Sequence, residues 1–201
     1  MEWKECKELI KKDYAQLVGN SSVSNHQVFI GGIKKLFTNA SFKVTFWFRI
    51  GSLLQQKKLF CYKPIYWIVK LIYRHYQYKT GAQLYLGTKV GGGLMFPHYG
   101  CQIIHYSAEL GEYVQIYQDV TIGSMRGKNG IPKIGSKVVL FAGAKVIGGV
   151  TIGDNCVIGA GAVVTKDVPS GCVAAGVPAK IVSQRGEEIC NQYICQLEPS
   201  S

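Results

Sequence analysis

Large aliphatic residues recur every six positions through the second half of the chain: Leu110, Ile116, Ile122, Ile134, Leu140, Val146, Ile152, Ile158 and Val164, with one gap of twelve. Two positions ahead of most of them stands a small or β-branched residue: Ala108, Val114, Val120, Val138, Ala144, Val150, Cys156 and Ala162. A helix face repeats every ~3.6 residues and a strand face every ~2, so neither yields this spacing. A solenoid does. Each hexapeptide forms one short flat strand, three complete a triangular coil, and stacked coils bury the aliphatic columns while pairing their backbones. The Gly that follows many of the aliphatics, as in IGSK, IGDN and IGAG, is expected to supply a turn conformation that a side chain resists.

Leu84, Val90 and Phe96 are also six apart, but they are out of phase by two with the series that resumes at Ile104. Two residues are therefore inserted near His98 and Tyr99. An insertion in a solenoid bulges outward, which is where a functional side chain is presented. The twelve-residue gap contains SMRGKNGIPK, read as an extruded loop beside the next coil. After Val164 the segment TKDVPSGCVAAGVPAKIV leaves the period, and residues 183–201 form a mostly polar tail with room for one short helix.

Residues 1–80 carry helical patterns instead: MEWKECKELIKKDYAQLV, then residues 28–37, then FKVTFWFRIGSLLQQ, then residues 62–78, with Pro64 in the first turn of the last, where its missing N–H costs nothing. The expected organisation is an N-terminal helical domain at 1–80 that caps the open end of a mainly β, left-handed parallel β-helix at 81–182, followed by a tail at 183–201. The segment YKPIYWIVKLIYRHYQY is the most hydrophobic window, but Lys63, Lys70 and Arg74 interrupt it and it is too short to span a bilayer. It reads as an amphipathic helix that packs on its own domain or touches a membrane surface. The charged start MEWKECKELIKKDY has no apolar signal region, so a cytoplasmic protein is expected.

Lys and Arg outnumber Asp and Glu by 23 to 12, a formal charge of +11, which suits anionic partners. Seven cysteines, Cys6, Cys61, Cys101, Cys156, Cys172, Cys190 and Cys195, are odd in number and lack paired metal spacing, so reduced thiols and no metal site are expected.

Three stretches are specific enough to carry a resemblance: VGGGLMFPHYGCQIIH at residues 90–105, KIGSKVVLFAGAKVIGGVTIGDNCVIGAGAVVTKDVP at 133–169, and AAGVPAKIV at 174–182. Residues 84–182 resemble the hexapeptide-repeat acyltransferases, in particular the serine acetyltransferase-like branch that also contains capsule and lipopolysaccharide O-acetyltransferases. The resemblance implies a homotrimer with acetyl-CoA as cosubstrate, held in the cleft between neighbouring solenoids, and a histidine that reaches the acceptor hydroxyl. No nucleic-acid partner is expected. His98 matches the family's catalytic position. Attack of a hydroxyl on a thioester needs a base within hydrogen-bond reach, and imidazole titrates near neutrality. His105, seven residues on, is a second candidate for the acceptor pocket or for a structural contact. Gly123, Ala142, Gly143 and Ala160 are expected to let pantetheine run against the backbone, with Lys145 and Lys180 for the phosphates and amides near Gly123 for the oxyanion.

Three positions depart from serine acetyltransferases. Pro97 stands where they have an acid that helps bind the amino acid. Gln83 stands where an acid orients the histidine ring, and Ile131 where they have a histidine. A glutamine accepts from an imidazole N–H but does not stabilise an imidazolium as a carboxylate does. These departures lead to the expectation that free serine is a poor acceptor and that a sugar hydroxyl in a surface polysaccharide or its lipid-linked precursor is acetylated. The alternatives are a serine O-acetyltransferase of cysteine biosynthesis and a non-catalytic trimeric scaffold. A carbonic anhydrase of the same fold needs three zinc-ligand histidines, and the solenoid has only His98 and His105.

Overall fold

The computed structural model describes residues 1–57, 62–125 and 130–194. Four helices come first: α1 (Trp3–Val18), α2 (Asn25–Thr38), α3 (Ala40–Gln56) and α4 (Tyr62–Thr80). Local chemistry sets their ends. Glu2 and Glu5 close a capping box on α1, Gly19 ends it in the left-handed conformation, and Ser24 with Gln27 repeats the box on α2. Asn39 caps α3 by accepting from the Phe42 N–H at 2.9 Å.

The solenoid begins at Gln83. Its first coil holds β1 (Gln83–Leu84), β2 (Lys89–Val90) and a single bridge at Met95; its second holds β3 (Ile103–Ile104), β4 (Glu109–Leu110) and β5 (Gln115–Ile116). The third is β6 (Thr121–Gly123), β7 (Lys133–Ile134) and β8 (Val139–Leu140), and the fourth β9 (Lys145–Ile147), β10 (Thr151–Ile152) and β11 (Val157–Ile158). The fifth contains β12 (Val163–Val164), a bridge at Val168 and β13 (Val173–Ala175), against which β14 (Lys180–Ser183) turns back antiparallel before α5 (Gly186–Tyr193). The strands stack into three parallel faces, the first being β1, β3, β6, β9 and β12. This is the expected solenoid with an N-terminal helical region.

The register states the insertions directly. Leu84 pairs with Ile104, twenty residues on, whereas Ile104 pairs with Ile122, eighteen on, so the two extra residues lie between Phe96 and Ile104. Ile122 pairs with Val146, which puts six extra residues between β6 and β7; residues 126–129 of that loop lie outside the described residues, as do Cys61 and Cys195. Every aliphatic of the hexapeptide series and every small residue two positions ahead is buried. Each buried Leu or Ile contributes roughly 1.5–3 kcal/mol.

One expectation about glycine is corrected. Gly135 and Gly153 do not take a left-handed conformation; that falls two residues later, on Lys137 and Asn155. The glycines are needed for space. A Cβ on Gly135 would stand 2.8 Å from the Asp154 backbone nitrogen, and one on Gly153 2.5 Å from that of Ser170, because the next coil crosses directly over each.

The helices close the open end of the first coil. Val44, Phe48 and Tyr73 share one apolar cluster with Leu84, Leu94, Phe96 and the aliphatic columns below. Helix side chains also satisfy the strand edge that no further coil covers. Tyr73 and Gln77 donate to the Leu84 carbonyl, Arg49 donates to the carbonyls of Val90 (2.7 Å) and Gly91 (2.6 Å), and the Phe96 N–H donates to Ser41. Asp13 accepts from the N–H groups of Gly93 and Leu94 and from the Arg49 guanidinium, the nearest pair at 2.9 Å, with both charged side chains buried.

Candidate active site

The two extra residues of the first coil fall at the corner between the third face and the first, and they push His98 and Tyr99 into solvent. The bulge is held from beneath. Gln102, fully buried, donates to the His98 carbonyl at 2.7 Å and accepts from the Gly100 N–H at 3.1 Å, while Asp119 of the next coil donates its N–H to the Gly100 carbonyl. The His98 ring lies against Tyr117, centroids 5.8 Å apart, and Tyr117 continues into Phe141 and Tyr193 as one aromatic row. Among the described residues neither ring nitrogen of His98 is engaged in a hydrogen bond, so both are open to a ligand. Burial, assisted by Tyr193, holds the Tyr117 hydroxyl above the usual phenol range, so it stays a neutral wall to the site.

The same corner runs down the solenoid as a ridge of small residues. The Gly143 N–H donates to the Gln118 carbonyl and the Gly161 N–H to the Ala142 carbonyl, so Ala142, Gly143 and Ala160 follow His98 along one line. Gly143 has φ +74, and no side chain blocks the backbone there. Lys145 sits beside the ridge on the outer row of the first face. Its ammonium is bonded to the Asp119 carbonyl and, at 3.0 Å, to the Asp119 carboxylate. Lys180 is exposed on β14.

His105 and Gly123 lie at the opposite edge of the first face, stacked in consecutive coils, with the six-residue insertion leaving just after Gly123. The Ser107 N–H donates to His105 Nδ1 at 3.2 Å. That bond makes the neutral ring an Nε2–H tautomer, a hydrogen-bond donor towards any ligand rather than a base. Gln83 belongs to the outer row of the same face, paired with Ile103, and it makes no hydrogen bond to His98 or His105 among the described residues. The expected residues thus divide: His98, Ala142, Gly143 and Ala160 on one edge, His105 and Gly123 on the other, Gln83 and Lys145 between. Sequence reasoning missed Tyr117 and Gln102. The Tyr117 position follows Ile116 in the repeat and looks like any outward residue, and the contact of Gln102 with His98 exists only once the bulge is folded. Ile131 packs against the solenoid core, so at that position an apolar side chain serves packing. Among the described residues no three His, Cys, Asp or Glu side chains stand together as a metal site, and no helix is long and apolar enough to cross a membrane.

The family described as bacterial transferase hexapeptide (six repeats) matches residues 131–166. A serine acetyltransferase of Synechococcus elongatus is 33% identical over 160 residues, 79% of this chain and 63% of that protein. A serine acetyltransferase of Helicobacter pylori is 37% identical over 125 residues, covering 61% of this chain and 72% of that one. Soybean serine acetyltransferase superposes with TM-score 0.70 at 25% identity over 89% of this chain and 69% of its own. The Neisseria gonorrhoeae serine acetyltransferase crystallised with serine superposes with TM-score 0.71 over 90% of this chain and 70% of its own; at 24% identity it speaks for the fold alone. These relatives overturn the sugar-hydroxyl acceptor and the role in surface polysaccharide synthesis expected from Pro97, Gln83 and Ile131. The physical reason is that three single positions were read as the whole acceptor site. Ile131 is a half-buried residue packed against the core, and the absence of an acid at Pro97 says nothing of the other groups on the corner, Asp119 among them.

Proposed function

The chain belongs to the hexapeptide-repeat acyltransferases, the family that holds the serine acetyltransferases, and on that premise we propose that it transfers the acetyl group of acetyl-CoA to the hydroxyl of serine. The observation that carries this reading is the 37% identity to the Helicobacter pylori serine acetyltransferase over 72% of that protein. The outward histidine at the head of a small-residue ridge supplies chemistry consistent with it.

In this reading His98 is the general base. Its free ring nitrogen takes the hydroxyl proton as the serine oxygen attacks the thioester carbonyl carbon, forming a tetrahedral intermediate. Collapse breaks the carbon–sulfur bond, and the imidazolium returns the proton to the departing CoA thiolate. Ala142, Gly143 and Ala160 give pantetheine a groove without side chains, and Lys180 faces the phosphates. Lys145 serves the same end while held by Asp119. Gly123 and His105 lie on the edge opposite His98, so in the trimer they meet the His98 of a neighbouring copy, Gly123 offering backbone amides for the oxyanion and His105 donating from Nε2 in the acceptor pocket. Gln83, on the outer row of the first face, is not bonded to the His98 ring among the described residues, so His98 acts without the carboxylate-like partner that the resemblance implies. The functional unit is a homotrimer, with acetyl-CoA between the first face of one solenoid and its neighbour.

The test is CoA-thiol release from acetyl-CoA with and without L-serine, alongside light scattering. Serine-dependent release from a species of three subunits is expected. Release that ignores serine, or a monomer at micromolar concentration, overturns the respective half of the proposal.

A further inference from the structure

Charge is spread very unevenly along this chain. Residues 1–80 contain fourteen of the 23 Lys and Arg residues but only four of the 12 Asp and Glu residues, and so carry ten of the eleven net positive charges. The four acids all precede Tyr14, and from Tyr14 to Ala108 there is no acid, against eleven Lys and Arg. Within that acid-free stretch lies α4. One side of it, with Val69, Tyr73 and Thr80, is buried against α3 and the first coil. The opposite side exposes Trp67 (57%), Ile68 (59%), Leu71 (64%) and Tyr78 (75%); Leu71 lies one turn beyond Trp67 and Ile68, and Tyr78 two turns beyond Leu71, so they share one side of the helix as a stripe. Basic groups flank the stripe and lean over its rings. The Lys70 ammonium stands 4.8 Å from the Trp67 centroid, and Arg74 Nε donates to the Tyr78 hydroxyl at 3.1 Å.

Large apolar side chains left in water on an otherwise packed helix mark a contact surface. The residue types name its chemistry. Indole and phenol rings with one apolar and one polar end settle at the headgroup level of a bilayer, aliphatic side chains dip below it, and Lys and Arg reach up to phosphates. A second copy of this face is opposed by its own charge, because Lys70 and Arg74 would meet their equivalents with no acid on the helix to separate them. An anionic surface meets no such repulsion.

We propose that the outer face of α4 docks on an anionic phospholipid surface, with Trp67, Ile68 and Leu71 at the acyl boundary and Lys70 and Arg74 on headgroup phosphates. The helix lies in the interface and does not cross it, as its length and charge require. The stripe shares no residue with the His98 corner and its ridge, so the proposal stands apart from the acceptor reading.

The test is flotation of the full chain with vesicles of phosphatidylcholine, with and without about one-third phosphatidylglycerol. Binding is expected on the anionic vesicles only, and it should fall in high salt. Trp67→Ser with Leu71→Ser, and separately Lys70→Gln with Arg74→Gln, should each lower the bound fraction by on the order of tenfold. Trp67→Phe should retain most of it. A thermal melt of each variant shows that the fold is kept, since all four side chains are largely outside the core. Failure of the wild-type chain to float, or variants that float unchanged, overturns the proposal. So does a drop in oligomer mass in the Trp67→Ser, Leu71→Ser variant, which would assign the stripe to a second copy.

Discussion

His98 offers solvent an imidazole from a bulge whose support comes from other residues, so truncating it removes chemistry without opening a cavity. His98→Ala is expected to reduce serine-dependent thiol release by about 10²–10⁴-fold, with stability changed by less than about 0.5 kcal/mol; initial rates and a urea melt check the two parts. Unchanged turnover in His98→Ala together with loss in His105→Ala would move the base to the other edge of the first face. The bond from Ser107 to His105 Nδ1 argues against that outcome. Thiol chemistry gives a second expectation at this scale. Burial pushes Cys6 and Cys190 up to about 11, so at pH 8 each is almost wholly the unreactive thiol, whereas Cys101 is exposed at the same corner as His98. A charged alkylating reagent should therefore label Cys101 well before Cys6 or Cys190, as read by peptide mass; equal labelling would mean that the burial is not maintained in solution. His98 was legible in the sequence because a phase slip of two residues is visible in a strict hexapeptide count. The reason for Gly135 was not, because the obstacle to a side chain there is the Asp154 backbone of the next coil, a contact between positions nineteen apart.

The joint between helices and solenoid is a buried ion pair. Arg49 of α3 and Asp13 of α1 are both almost fully buried, and between them they satisfy the Val90 and Gly91 carbonyls and the Gly93 and Leu94 N–H groups of the first coil. Burial works to raise the Asp13 carboxyl, while the Arg49 charge and the two amides work against it. Removing one partner leaves the other charged, dry and alone. Arg49→Met is expected to cost about 3–5 kcal/mol, read as a lower urea midpoint, and Asp13→Leu added to it should restore part of the loss. Additive losses in the double variant would show that the two residues act separately. The helices themselves were readable from apolar spacing and caps, and the solenoid from its period. This pair was not readable, because sequence offers no rule that brings position 13 to position 49, and Asp13 looks like one more surface acid on a charged helix.

At the scale of the whole molecule, the question is whether the helices are an appendage or the first layer of one core. The apolar cluster is continuous from Val44, Phe48 and Tyr73 through Leu84 and Phe96 to Val164 and Ala174, without a break at the helix–solenoid boundary. A solenoid coil is stabilised by the coil on each side, and a terminal coil needs a cap. Here the cap supplies both kinds of closure: apolar side chains over Leu84, Leu94 and Phe96, and hydrogen-bond partners for the backbone of all three faces, from Tyr73 and Gln77 on the first, Arg49 on the second and Ser41 on the third. Without the helices, those carbonyls and N–H groups would face water beside three large apolar side chains, an open edge ready to pair with another chain. The full chain is therefore expected to unfold in one transition, with helical and strand signals in far-ultraviolet circular dichroism losing intensity together and coinciding with tyrosine and tryptophan fluorescence. A chain truncated to residues 81–201 should aggregate or lack that cooperative transition. If the truncated chain instead stays dispersed and melts at the temperature of the full chain, the first coil closes itself, and the contacts from α1, α3 and α4 contribute nothing to the stability of the solenoid.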